Sequence, residues 1–403
     1  MRVRAVEIAD SPRARDLVRL RAEVTYDSNP SGPEEYWLDV PAEFNAISVT
    51  GDPWLAWLAP LAVTLGESLE LEVQVSAQLL ANAHELVRIW TAWYPQLSPC
   101  RITAPVSHET GDAGGRTGAF FSGGVDSFFT ALRHVTGEDT SDRRTIHGLI
   151  FVWGFDIEIS NTHAWSTALQ SNQTVARELG VPLLPVVTNL RHTRFASADW
   201  THLSHGAGLA GVAHALGHAF STVLVPSSAG YRHMRPWGSH PITDPLFTSE
   251  RVRIVHDGPG WTRVEKTEYI AASALALRHL RVCYRSADGT NCGACKRCYR
   301  TMLALSALGA LDRCTTFHSR ALDLERAGRV YCHTEADVQQ FAFVRALAER
   351  QGRHDIVRAV DKSVKRSSRM SRLLSRVRRL RDAPLLWRWI PSWERRLLRE
   401  WVV

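Results

Sequence analysis

Two stretches of this chain set chemistry-bearing residues at telling spacings. Residues 120–134 read FFSGGVDSFFTALRH: an apolar run stops at Ser122, passes Gly123 and Gly124, shows Asp126 between Val125 and Ser127, and resumes at helical spacing with Phe128, Phe129 and Leu132. A strand-to-helix turn of this kind suits a phosphate. The glycines let the backbone approach an anion without a Cβ in the way, the two serines bring hydroxyl donors, and the first N–H groups of the helix face the ligand. The stretch has neither the GxxxxGK[ST] lysine of a nucleotide P-loop nor the GxGxxG of a dinucleotide site.

The second stretch, CYRSADGTNCGACKRC, places Cys283, Cys292, Cys295 and Cys298 with eight, two and two residues between them. Four thiolates so grouped fit a closed tetrahedral site, the geometry Zn²⁺ takes in structural roles. Paired disulfides and an iron–sulfur cluster are the competing readings, because thiolates alone do not choose the metal. Lys296, Arg297 and Arg285 stand close enough in sequence to offset thiolate charge. Cys100, Cys314 and Cys332 read as ordinary core or surface residues.

These residues need a scaffold, and the chain offers one. Its 403 residues, 45% hydrophobic and 22% charged, can bury one large core or two to three domains. From residue 118 the texture is strand, turn, helix, repeated: GAFF, then IHGLIFV, then a helix over AWSTALQSNQTVAREL closed by Gly180, then PLLPVVT, a helix from about His205 to Gly217, and TVLVP. That alternation predicts a doubly wound α/β fold with a mostly parallel sheet, whose carboxyl edge presents the glycine turn. Residues 1–105 read as a separate α+β accessory domain, with strands at VRAVEI, LRAEVTY and LELEVQV and a helix capped by Ser76. The polar, Gly-rich stretch 106–117 reads as a linker, and residues 316–403 as a helical extension.

The turn Ser122–Ser127 resembles the PP-loop of the N-type ATP pyrophosphatases. That resemblance implies a PP-loop (HUP-like) fold over residues 118–315 and cleavage of ATP between its α- and β-phosphates. Ser122, Gly123, Gly124, Val125, Asp126 and Ser127 would hold pyrophosphate while AMP is placed on a substrate oxygen. Mg²⁺ is expected on the phosphates, with Asp126 either holding it or bracing the loop. A PP-loop followed by the four-cysteine pattern is similar to the 7-cyano-7-deazaguanine synthases, which carry zinc and activate a carboxylate for attack by ammonia. On the same resemblance Lys266 is a candidate for the phosphates, with Arg263 behind it, and Ser122, Asp126, Ser127 and Lys266 form the expected catalytic set. Gly154, Phe155 and Asp156 follow the second strand, where such a sheet faces the adenosine, and Asn189 and Arg191 end the next one.

The match covers about residues 117–315, half the chain. Synthase-like proteins of bacterial antiphage defence operons carry extensions of this kind, so the acceptor is left open as a small molecule, a modified base or a partner protein. The long loop SSAGYRHMRPWGSHPITD, with Ser227, Ser228, Tyr231, Arg232, Trp237, His240 and Asp244, is the expected specificity loop. His205 and Gly206 open a helix of small residues suited to close packing or to a nucleotide.

Residues 353–403 carry 15 Lys and Arg against 5 Asp and Glu, so the tail holds the basic surplus and the remainder of the chain stands at −3. Met370, Leu373, Leu374, Val377 and Leu380 mark one helical stripe among arginines, and Trp387, Trp389, Trp393 and Trp401 follow. RNA, an anionic membrane surface, an acidic protein and the chain's own core are the partners this pattern admits. No uncharged apolar run of about 18 residues occurs, and neither a secretory signal nor a disulfide framework is evident, which predicts a cytoplasmic protein. An RNA-modifying, thiolating PP-loop enzyme and a non-catalytic nucleotide-binding subunit are the alternative functions, and homo-oligomerisation stays open.

Overall fold

The computed structural model describes residues 1–108, 114–137, 142–228, 230–317 and 322–381. In chain order the strands are β1 (Arg2–Asp10), β2 (Leu17–Tyr26), β3 (Asn29–Pro41), β4 (Leu69–Leu71), β5 (Val75–Ser76), β6 (Ile102–Thr103), β7 (Val106–Ser107), β8 (Thr117–Phe120), β9 (Ile146–Trp153), β10 (Leu183–Thr188), β11 (Thr222–Pro226) and β12 (Arg253–Asp257). The helices are α1 (Asp52–Leu65), α2 (Ala77–Trp93), α3 (Val125–Val135), α4 (Thr162–Leu179), α5 (His205–Ala215), α6 (Arg263–Ala271), α7 (Ala274–His279), α8 (Lys296–Ala307), α9 (Leu324–Ala327), α10 (Glu335–Arg350) and α11 (His354–Arg381). They form two compact units: Met1–Ser122 with Asp126–Trp261, and Gly123–Val125 with the chain from Thr262 onward.

The first unit is built on one ten-stranded sheet in the order β12-β11-β8-β9-β10-β3-β2-β1-β4-β6. The strands from β12 to β10 are mutually parallel. Such strands are buried on both faces and read as nearly unbroken apolar runs, as IHGLIFVW in β9 does. Counted from β8, the parallel strands lie in the order 3-2-1-4-5, so the connections depart to opposite sides of β8. Helix α4 ends as its sequence predicts, with Gly180 at φ +68, and α2 starts where Ser76 accepts a hydrogen bond from the Leu79 N–H at 2.9 Å.

Residues 1–105 do not form a sheet of their own. Strand β3 pairs antiparallel with β10, Val187 opposite Asp39 and Thr188 opposite Leu38, and β2, β1, β4 and β6 continue from it. Side chains fix that junction. Thr188 Oγ1 donates to the Trp37 carbonyl at 2.7 Å, and the Asn189 amide takes the Trp37 N–H at 2.9 Å and gives to the Glu35 carbonyl at 2.8 Å. Arg19 and Asp39 form a buried bidentate pair, 2.7 and 2.9 Å, with the guanidinium over Trp37. The expected linker runs from β7 to the start of β8, and its residues 109–113 lie outside the described residues.

One local expectation is corrected, and the helix of small residues shows close packing. LELEVQV is not one strand: it breaks after Leu71, and Val75–Ser76 joins β7 in a separate two-stranded sheet. The buried Asp52 carboxylate accepts from the Ser76 N–H at 2.7 Å, and the Gly51 N–H bonds the Gln74 carbonyl at 2.7 Å, which turns the chain aside. The glycines of α5 serve packing. Trp57 of α1 lies against them, donating Nε1 to the Gly208 carbonyl at 2.9 Å, and a Cβ at Gly211 would stand 2.1 Å from that nitrogen.

The second unit is helical around Val264, Tyr299, Leu303, Phe341, Val344, Leu347 and Ile356. Capping boxes open α6, at Thr262 and Glu265, and α10, at Thr334 and Asp337. The basic extension is helical through Arg381, and its first half docks at home. Ser363 Oγ donates to the Val330 carbonyl at 2.7 Å, the Cys332 N–H donates to Ser367 Oγ at 2.9 Å, and Met370 is buried. The tail tryptophans lie outside the described residues. No helix among the described residues is long and apolar enough to cross a membrane.

Candidate functional site

Strand β8 delivers the chain to Phe121 and Ser122, two residues turn at Gly123 and Gly124, and α3 begins at Val125. The Phe121 N–H bonds the Ile150 carbonyl of β9 at 2.8 Å, which fixes the entrance. Phe128 and Phe129 are buried, so the first turn of α3 is anchored, with half-buried Asp126 and buried Ser127 in it. Gly123 has φ +76, and its carbonyl accepts from the Arg281 N–H at 2.8 Å. The positive dipole end of an eleven-residue helix therefore lies at the carboxyl end of the first parallel strand, beside the point where connections diverge.

The other expected nucleotide residues have varied settings. Gly154 meets a backbone demand of its own: φ is +104, and a Cβ there would stand 2.0 Å from the Thr188 carbonyl oxygen. Asn189 is committed to β3, as described above. Arg191 donates to the Phe155 carbonyl and lies over Trp200 at 4.8 Å, and Phe155 packs on the same ring at 4.9 Å. Arg263 opens α6, and Lys266, the candidate for the phosphates, is 1% exposed. Burial of an ammonium group calls for charged or hydrogen-bonding company.

A polar cluster follows at the same edge of the sheet. Asp244 Oδ2 accepts from Ser239 Oγ and from His256 Nδ1, both at 2.7 Å, and Oδ1 accepts from the His240 N–H at 3.0 Å. The His256 and Asp244 side chains are 2% and 1% exposed. His205 stands against Trp200 at 4.9 Å. Burial holds its imidazole below the ordinary range, against the pull of Asp156 and Asp244. Two residues of the expected specificity loop, His240 and Asp244, thus belong to a buried network with His256, a residue without a motif of its own.

The four cysteines converge. Sγ of Cys283 lies 3.9 Å from Cys295, Cys292 lies 3.8 Å from Cys298, and Cys295 lies 3.5 Å from Cys298, with all four sulfurs within 4.8 Å of one another. One ion bonded to four thiolates at about 2.3 Å sets its ligand sulfurs about 3.8 Å apart. A disulfide needs sulfurs about 2.0 Å apart, and none of these pairs stands that close. These thiolates can hold a single metal ion such as zinc.

Local structure supplies the ligands. Cys295 caps α8, and Cys298 sits in its first turn. The Cys298 thiol, then the N–H groups of Cys298 and Arg297, pull the Cys295 thiol down against the effect of burial. The Arg285 N–H points at Cys283 Sγ at 3.3 Å and the Ala294 N–H at Cys292 Sγ at 3.5 Å. Asn291 holds the loop together. Its Oδ1 accepts from the N–H groups of Val282 at 2.8 Å and Cys283 at 3.2 Å, while Nδ2 donates to the Leu280 carbonyl at 2.8 Å and to Thr316 Oγ1 at 3.0 Å. The neighbouring cations have their own partners: Lys296 pairs with Asp337 at 2.7 Å, and Arg297 lies over Tyr284 at 3.7 Å.

No protein-family model, no curated protein and no solved structure matches this chain. Sequence reasoning missed His256 and Asn291. The only signal for Asn291 was its place one residue before Cys292.

Proposed function

We propose that this chain is a PP-loop ATP pyrophosphatase that adenylates a carboxylate or carbonyl-type oxygen and passes the activated group to a nitrogen nucleophile, in the manner of the 7-cyano-7-deazaguanine synthases. The observation that carries the reading is the position of Ser122–Ser127 at the carboxyl end of β8, the first strand of a 3-2-1-4-5 parallel sheet. Open α/β sheets bind ligands at that place.

In the proposed reaction a substrate carboxylate attacks the α-phosphorus of ATP. The bond to the bridging oxygen breaks, and pyrophosphate leaves with the electron pair. Ammonia or an amine then attacks the acyl adenylate, and AMP departs as a proton is lost from nitrogen. The chain's part is to orient the triphosphate and to stabilise charge on the leaving pyrophosphate. Ser122, Ser127 and the N–H groups of the turn would donate to phosphate oxygens, Lys266 would supply positive charge, and Asp126 would help to hold Mg²⁺. That ion would supply positive charge against the phosphates. Phe155, Trp200 and Arg191 offer aromatic and cationic surface for a base. The four-cysteine centre is read as structural zinc, since four protein ligands leave no open position for a substrate.

The test is nucleotide product analysis with ATP, Mg²⁺, ammonia and a panel of acceptors that includes 7-carboxy-7-deazaguanine. AMP and pyrophosphate that depend on one acceptor support the reading and name the substrate class. ADP as the product, or AMP formed at equal rates without any acceptor, refutes it.

A further inference from the structure

Asp52 is a buried carboxylate that the protein satisfies only in part. It is 4% exposed and has no ion-pair partner among the described residues. Its Oδ1 accepts from the Ser76 N–H at 2.7 Å, while no donor among the described residues reaches Oδ2. Burial raises its pKa above the ordinary carboxylate range, against the pull of His214, the Ser76 N–H and Arg251. Helix α1 begins at this residue, so the helix dipole favours the charge without donating to the second oxygen. Buried polar groups are otherwise paired, and one that is not calls for an explanation.

Asp52 forms part of the wall of a cleft of about 560 Å³, and every residue of that wall belongs to the first unit. The sheet opens it. Strand β4 pairs with β1 only at Arg2 and Val3 before the chain turns aside, so the far end of β1 runs on without it. Ile8 stands opposite Leu20, on the side of the sheet that faces the core, yet it is 48% exposed, and Val49 is 49% exposed. Val6, Ile47 and Val73 extend this aliphatic lining. Arg251 and His218 stand on the same wall, and no acceptor or ion pair among the described residues engages the Arg251 guanidinium. A cleft of this size, apolar with a few fixed polar groups, has the form of a small-molecule site.

The lining states what would fill it. An unpaired carboxylate calls for a cation, a guanidinium for a carboxylate or phosphate, and the valines and isoleucines for a hydrocarbon body. A phosphate-bearing ligand would suit Arg251 but set like charge against Asp52. A small zwitterion with a branched side chain meets all three demands. We propose that this cleft binds an aliphatic α-amino acid, with its ammonium group on Asp52, its carboxylate at Arg251 and its side chain on Val6, Ile8 and Val49. The site shares no residue with the glycine turn and does not depend on the pyrophosphatase reading.

Calorimetric titration of the full chain with L-valine, L-leucine and L-isoleucine tests it, each beside the amine that lacks its carboxylate and the acid that lacks its amine. At least one amino acid is expected to bind, about 10-fold or more tighter than either truncated analogue, since each analogue has lost a charge-assisted contact. Asp52→Asn keeps an acceptor for the Ser76 N–H and removes the charge, and Arg251→Gln changes a half-buried side chain. Both variants are expected to fold, as read by their melting curves, and to bind that amino acid about 10- to 100-fold more weakly. An aspartate present only to anchor Ser76 would leave binding unmoved in Asp52→Asn. Binding of none of the three amino acids at millimolar concentration overturns the proposal. So does an amine or acid that binds as tightly as its amino acid, or wild-type affinity in either variant. A chain that binds the amino acid yet never forms AMP would count against the pyrophosphatase reading alone, so the two failures are distinct.

Discussion

Replacing Asn291 with alanine tests how far the metal loop depends on one side chain. Asn291 is 1% exposed and makes four hydrogen bonds, to Val282, Cys283, Leu280 and Thr316. Alanine leaves two backbone N–H groups and one carbonyl without a partner, while the Thr316 hydroxyl is free to rotate. At about 1–3 kcal/mol for each unsatisfied buried group, the loss comes to about 3–6 kcal/mol once partial relaxation is allowed. In a unit of this size that lowers Tm by roughly 10 °C or more. Cys283, the ligand furthest from the others in sequence, loses the bond that orients its backbone, so metal affinity falls as well. Differential scanning calorimetry gives the first quantity, and competition with a chromophoric chelator gives the second. Asn291→Asp keeps the acceptor for both N–H groups but brings a carboxylate next to the thiolates, so it is expected to fold and bind metal more weakly. An alanine variant with wild-type Tm and wild-type metal affinity would refute the reasoning.

Three further expectations follow from the geometry. Metal analysis of native protein is expected to give one zinc per chain, with Cys298→Ser abolishing it; iron, or no metal, would remove the zinc assignment. Ser122→Ala and Asp126→Ala are expected to stop AMP formation with the melting curve little changed, and AMP release at the wild-type rate from both would remove the turn from the mechanism. His214 is buried in α5, and burial lowers its pKa against the opposing Asp52 charge and its bond to the Phe247 carbonyl. The folded state therefore favours neutral imidazole while the unfolded chain takes up a proton near about pH 6.5, so this contribution is full above that pH and is lost as pH falls. Tm is expected to drop between pH 7 and pH 5, less steeply in His214→Gln; equal slopes would count against it.

The sequence made the parallel half of the sheet legible because its signals are local. Strands β8 to β11 are short apolar runs bounded by turns, and Ser76 and Gly180 act within four residues of where they stand. The four thiols were legible by spacing. Helix α1 was not, since it is apolar on every face and shows no helical period. The junction of β3 with β10 joins residues some 150 positions apart, and nothing local announces it. The same distance hid the tasks of Asn189 and His256, whose meaning lies in partners brought by other elements. Gly154 and the glycines of α5 also meet backbone and packing demands that the sequence does not display: a Cβ at Gly154 would meet the Thr188 carbonyl and one at Gly211 the Trp57 ring.

Strand β12 ends one side of the sheet with two ionisable residues that point to opposite faces. His256 meets Asp244, while Asp257 accepts from Thr130 at 2.6 Å and from His134 at 3.0 Å. Sliding β12 by one residue against β11 would exchange the two and set Asp257 against Asp244, carboxylate facing carboxylate in a buried site. Misregistration at this rim is thus penalised electrostatically as well as by lost packing. The last parallel strand to be synthesised proofreads its own alignment.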